Sequence, residues 1–190
     1  MPTPLRGLVP ISLFALMLSG TARAQPRAGE FVHITAGIGV TYPFDFDSLS
    51  GSGFYAQGEY VLAFSSWFGI RPYAGIILAS GKGYAEGVDY ISRIKSNAFM
   101  MGGKARFAIP IPWVSPFLEG GMGISLGSFE TVTLLKEQKA NGLVVHVPMS
   151  LGLALGRNRN FECVFTYYFH PTVEQIVGGV AFGVSLPIRP

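Results

Sequence analysis

Few residues of this chain could do chemistry, and those few are scattered. The densest group is His170-Pro171-Thr172-x-Glu174, an imidazole, a hydroxyl and a carboxylate within one short stretch. A hydroxyl nucleophile needs a base within hydrogen-bond reach, so His170, Thr172 and Glu174 are the weak catalytic candidates; the plainer reading is a rim histidine with a polar neighbour. His33 and His146 stand alone in apolar surroundings and are expected to line an interior. No C-x-x-C and no H-E-x-x-H occurs, so neither a zinc site nor any other metal or cofactor is expected. Gly81-Lys82-Gly83 lacks the spacing and the following helix of a phosphate loop, and Gly121-x-Gly123 reads as close packing. Asp45 and Asp47 could hold a divalent cation, but a solvated loop is the simpler account. Cys163 is the only cysteine, which excludes an internal disulfide and fits a small buried hydrophobe.

A second group is ionic. Glu59, Arg71, Lys104, Arg106, Glu119 and Glu162 are far apart in sequence, yet each interrupts an otherwise apolar, alternating segment. Three acids and three bases in one narrow interior would have to pair, because an unpaired buried charge is expensive. Their chemistry is that of a structural plug or, less simply, of a gate in a narrow ion path. If the turn after the fourth segment centres between Ile111 and Pro112, Lys104 lies directly opposite Glu119.

The elements that position these groups are strands. Eight segments alternate with period two: Phe31 to Tyr42, Phe54 to Phe64, Phe68 to Ala79, Asn97 to Ile109, Val114 to Gly127, Leu143 to Gly156, Arg159 to Phe169 and Ile176 to Leu186. Such alternation places successive side chains on opposite faces of a sheet. In Leu143 to Gly156, Leu143, Val145, Val147, Met149, Leu151, Leu153 and Leu155 form one face. The other face is Val144, His146, Pro148, Ser150, Gly152, Ala154 and Gly156. All six charges fall on the small-residue face. The third segment is blurred by Ile77. Trp67 to Gly75 and Trp113 to Gly120 form a weak repeat of aromatic turn, Pro-aromatic and Gly, which suggests hairpin duplication.

Eight strands closed on themselves leave room only for side chains. Gly, Ala and Ser fit that interior better than seven large residues from one strand, so the bulky face is expected outward. A charge on a lipid-facing wall would cost about 2–4 kcal/mol at mid-depth, which explains its absence there. Arg93 and Lys95 obey this rule only if the fourth strand runs beyond the bilayer. Aromatic residues gather near both ends of the segments, Trp67, Phe68, Phe107, Trp113 and Phe161 at one and Tyr42, Phe44, Phe54, Phe99 and Phe169 at the other, as interface girdles do.

Composition agrees. Charged residues are 13% and hydrophobic residues 49% of the chain, against about 25% charged in typical soluble domains. Apart from the N-terminus, no apolar run approaches the length of a spanning helix. Arg6, the apolar run Leu8 to Leu18 and Ser19 to Ala24 read as a secretory signal cleaved after Ala24, leaving one domain over residues 25–190. That domain carries 12 basic and 11 acidic residues, which excludes a nucleic-acid footprint. The connections Ser65 to Trp67, Pro110 to Trp113 and Gly156 to Asn158 are short. Those over 43–53, 80–96 and 128–140 are long and polar, and the last could hold a helical turn. Short turns at one end and long loops at the other is the arrangement of outer-membrane barrels, with both termini periplasmic.

Through Arg71-Pro72-Tyr73-x-Gly75, Pro116-Phe117-x-x-Gly120-x-x-Gly123 and the closing Gly179-x-x-Phe182-Gly183, the chain resembles the small eight-stranded outer-membrane barrels, the family of the OmpA transmembrane domain and OmpX. The likeness runs from Glu30 to Ile188. It implies an all-β, antiparallel up-and-down transmembrane barrel, a monomer in the cell outer membrane, surrounded by outer-membrane lipid and lipopolysaccharide. It implies a surface ligand taken by the long loops and no nucleic-acid partner. The family spans adhesion, envelope integrity, host-factor binding and lipid modification, so the resemblance leaves function open. A plugged, structural or surface-interacting barrel is the first expectation, and a narrow porin-like ion pore the second. The third is a lipid A-modifying esterase, because barrel lipid A deacylases are similar in size and place a His-x-Ser pair at the outer rim. Here Thr172 stands for the serine, Pro171 intervenes, and alternation turns His170 inward.

Overall fold

A computed structural model describes residues 28–44, 49–84, 91–133 and 137–188. The expected signal sequence, its cleavage site and the Asp45/Asp47 pair lie outside the described residues. Eight antiparallel strands close into a barrel in sequence order. They are β1 (Gly29–Pro43), β2 (Gly51–Ala63), β3 (Phe68–Tyr84), β4 (Ile91–Ala108), β5 (Val114–Val132), β6 (Glu137–Leu155), β7 (Phe161–His170) and β8 (Gln175–Pro187). The fold class expected from the alternation is the one observed.

The register fixes how the strands are staggered. From Gly29 the cross-strand partners run through Ala63, Gly69, Arg106, Glu119, Ser150, Thr166 and Gly179 to Gly39. One circuit therefore returns to β1 ten residues further on. This shear tilts the strands and sets the bore, which at eight strands is filled by side chains. Both ends of the described chain lie beside the short turns, where Phe31 pairs with Pro187.

The two faces separate by size and polarity. Ile38, Met122, Leu151 and Phe182 point outward and are 62%, 72%, 62% and 71% exposed. His33, Glu59, Lys104, Glu119, His146 and His170 point inward and are buried. The interior also holds large groups, among them Tyr55, Ile77, Met100, Phe129 and Tyr168. Glycines make their room. A Cβ on Gly179 would meet the Tyr55 ring at 2.7 Å, and one on Gly123 would sit 2.4 Å from both His146 Nε2 and the Tyr73 hydroxyl. Ile77, which blurs the sequence pattern of β3, is one of these inward core residues.

Several boundaries differ from expectation. β3, β4, β5 and β6 run on to Tyr84, Ile91, Val132 and Glu137, so much of 80–96 and 128–140 is hairpin rather than loop. Of the stretch 128–140, which could have held a helical turn, 128–132 and 137–140 are strand and 134–136 lie outside the described residues. Beyond Phe99 the outward positions become polar while Ile94 and Phe129 stay buried inside, so the greasy-outside pattern inverts. β7 begins at Phe161 rather than Arg159. Arg159 occupies a turn with φ +54° and donates from Nη2 to the Ile111 carbonyl at 2.6 Å. The β2–β3 and β5–β6 ladders each skip two consecutive pairs, at Pro72 and Pro148, whose nitrogens carry no proton to donate.

Candidate functional site

The six charged residues singled out from the sequence meet in the half of the lumen nearer the short turns. Antiparallel pairing sets Arg106 on β4 directly across from Glu119 on β5. Arg106 Nε donates to Glu119 Oε1 at 2.6 Å, while Nη1 and Nη2 grip both oxygens of Glu162 at 2.6 Å each. Its guanidinium also lies over the Phe117 ring, 3.4 Å from the centroid. Arg71 donates to Glu59 Oε2 at 2.6 Å and to Glu162 Oε1 at 3.1 Å. Lys104 Nζ lies 2.6 Å from Glu59 Oε1 and 2.7 Å from Glu119 Oε2. The expected register is corrected: Lys104 lies across from Gly121, two residues from Glu119. The turn centres one residue later than expected, with Trp113 at φ +69°, and the long lysine spans the offset.

Three carboxylates thus face three permanent or near-permanent cations, and no side chain of the six is more than 6% exposed. Charge-assisted pairs of this kind are short and strong, and the fork of arginine fits a carboxylate with two parallel bonds. The sequence did not reveal that His33 joins them. Its two ring nitrogens lie 3.3 Å from Glu59 and 3.4 Å from Glu162.

Above the ionic layer, towards the long-loop end, the lumen continues as hydrogen bonds. Gln57 donates to Glu59 Oε1 at 2.5 Å and accepts from the hydroxyls of Tyr55 and Tyr168. The Tyr73 hydroxyl meets His146 Nε2 at 2.5 Å. Ser125 Oγ bridges His146 Nδ1 and His170 Nε2 at 2.7 and 2.9 Å. Thr41, Ser96, Gln175 and Thr131 complete the upper layer. At the opposite end a small recess is lined by residues including Arg71, Arg106, Phe117 and Glu162, so it abuts the ionic layer.

The catalytic candidates are not brought together. His170 is fully buried and engages Ser125, whereas Thr172 and Glu174 are exposed in the turn between β7 and β8. Thr172 contributes its carbonyl to Gln138 at 3.3 Å. His146 is inward, as expected, and Cys163 sits half-buried on the outward face of β7. Among the described residues no group of three or more His, Cys, Asp or Glu is arranged to hold a metal ion.

This architecture is that of the small outer-membrane barrels. Neisserial surface protein A superposes with a TM-score of 0.58 at 12% identity, covering 84% of this chain and 97% of that one. The outer membrane protein OprG from Pseudomonas aeruginosa superposes with a TM-score of 0.52 at 14% identity, covering 86% of this chain and 98% of that one. At such identities the shared property is the fold. No protein-family model and no curated protein matches the sequence.

Proposed function

We propose that the protein is a wall-forming, non-conducting barrel of the bacterial outer membrane, with its lumen plugged by the Glu59–Arg71–Lys104–Arg106–Glu119–Glu162 network. Its work would be envelope stability or surface interaction through the hairpins that bear 43–53, 80–96 and 128–140. Outer-membrane lipid and lipopolysaccharide would surround a monomer whose termini face the periplasm. The carrying observation is that each of the six charges is buried and already engaged with opposite charge. An ion entering such a layer must break strong pairs without replacing them. The outward band of large apolar residues supports the membrane setting, since an exposed apolar surface of that extent is otherwise a liability in water.

Planar-bilayer recording tests the plug. The reading predicts no steady single-channel current from inserted protein; a steady, salt-dependent current with the six residues intact would establish the pore reading instead. The esterase reading has less support, because His170 points away from Thr172.

A further inference from the structure

On the outer wall of the barrel, ionised side chains gather at one place. Lys82, Arg93, Lys95 and Lys139 all face outward and are exposed on the extended hairpins β3–β4 and β5–β6. Across the register they form two rows. One is Ser80–Lys95–Glu130–Lys139, and the next outward is Lys82–Arg93–Val132–Glu137. The rows beneath are Leu78–Asn97–Ser128–Asn141 and then Ile76–Phe99–Leu126–Leu143. Outward polarity therefore changes from apolar to neutral to cationic in two steps of about 6.6 Å each along the strands. At the same end of β7, β8, β1 and β2, the outward described strand residues are uncharged, Phe169, Ile176, Tyr42 and Ser52 among them.

Within this collar the cations outnumber their acids. Lys139 is engaged by Glu137 at 2.7 Å and by Glu130 at 3.8 Å. Among the described residues Lys82, Arg93 and Lys95 make no ion pair. Lys82 and Arg93 are direct cross-strand partners, an arrangement of like charges that destabilises a sheet unless something negative lies between them. The side chains project sideways from the wall rather than along the barrel axis, so they face whatever lies beside the barrel just above its apolar band.

We infer that this collar is a docking site for the phosphate of an anionic lipid headgroup in the leaflet on the long-loop side. This rests on the membrane reading above and specifies a partner for it. The acyl chains would lie against Ile76, Phe99, Leu126 and Leu143, and the phosphate would sit between Lys82, Arg93 and Lys95. A soluble polyanion is the less suitable occupant, because it has no use for the apolar rows directly beneath the cations.

The test uses the full chain refolded into phosphatidylcholine vesicles containing a minor fraction of phosphatidic acid. Lipids retained after detergent extraction are counted by native mass spectrometry. Folding is read separately, from the heat-dependent gel shift in pure phosphatidylcholine. The expected result is enrichment of phosphatidic acid over its bulk fraction by about tenfold, since basic residues near a membrane surface attract anionic headgroups. Replacing Lys82→Gln, Arg93→Gln, Lys95→Gln and Lys139→Gln together should return the ratio to bulk while the gel shift persists. Equal enrichment in the folded variant would overturn the inference. So would cation-dependent binding of inorganic polyphosphate without phosphatidic acid enrichment, which would assign the collar to a soluble polyanion. Absence of the gel shift in every vesicle would overturn the membrane reading and the docking site with it.

Discussion

Arg106 on β4 holds Glu162 on β7 across the lumen with two parallel hydrogen bonds of 2.6 Å. The same guanidinium reaches Glu119 on β5 with its third nitrogen. One side chain thereby ties three strands together at a level where no water-filled bore remains to solvate a lone carboxylate.

Removing one partner of such a pair leaves the other buried and uncompensated, at a cost of about 3–5 kcal/mol. Glu162→Gln should therefore lower unfolding stability in detergent by that order. In a double-mutant cycle with Arg106→Met, the second change should cost less than it does alone. Urea titration of the four proteins measures both effects. Additive losses would show that the two side chains do not interact.

Neighbouring glycines on β4 should respond oppositely. A Cβ on Gly102 would lie 2.4 Å from the Met122 carbonyl oxygen and 2.8 Å from the Tyr73 hydroxyl, whereas one on Gly103 meets nothing within 4 Å. Gly102→Ala should destabilise by about 1–3 kcal/mol through overpacking. Gly103→Ala should change stability by less than about 0.5 kcal/mol, as outward substitutions usually do. Equal sensitivity at the two positions would contradict the assigned facing.

Depth can be tested with a charge. Met122 is among the most exposed outward residues, 72%, and sits mid-wall, while Asn141 borders the cationic collar. Met122→Arg in a lipid bilayer should cost about 2–4 kcal/mol, and Asn141→Arg no more than about 1 kcal/mol. Refolding titrations in vesicles compare them.

The turn residue Thr172 should be dispensable. With His170 buried against Ser125, Thr172→Ala should leave the lipid A acyl pattern of expressing cells unchanged by mass spectrometry. A shift in that pattern, reversed by the substitution, would revive the esterase reading.

Much of this was legible in the sequence, for a physical reason. Period two sorts residues by face, and Glu59, Arg71, Lys104, Arg106, Glu119 and Glu162 each had to share the face that the leucines of β6 do not use. What escaped has equally specific causes. Tyr73 and Tyr168 fall on the lumen face by the same alternation, as observed, whereas the alternation leaves Tyr55 unplaced, because an aromatic residue near a strand end looks the same whether it fills a lumen or a girdle. Only the glycines opposite, Gly179 and Gly123, mark the difference, and they become informative once the register is known. That register slipped by two residues between Lys104 and Glu119 because the Pro110-Ile111-Pro112-Trp113 turn has more than one possible centre, and the left-handed Trp113 selects one. The hairpins above Phe99 were read as loops because their outward residues turn polar where the wall rises above its apolar band.

The central claim is the direction in which the bulky face points. Single nitroxide labels at Met122→Cys and, separately, Gly121→Cys, each with Cys163→Ala, would be compared in lipid vesicles by collision with oxygen and with a water-soluble nickel complex. The account predicts that the label at 122 is mobile, reached by oxygen and shielded from nickel, while the label at 121 is immobile and reached by neither, or prevents folding. A label at 122 that is buried or quenched by nickel, beside a label at 121 bathed in lipid, would contradict it.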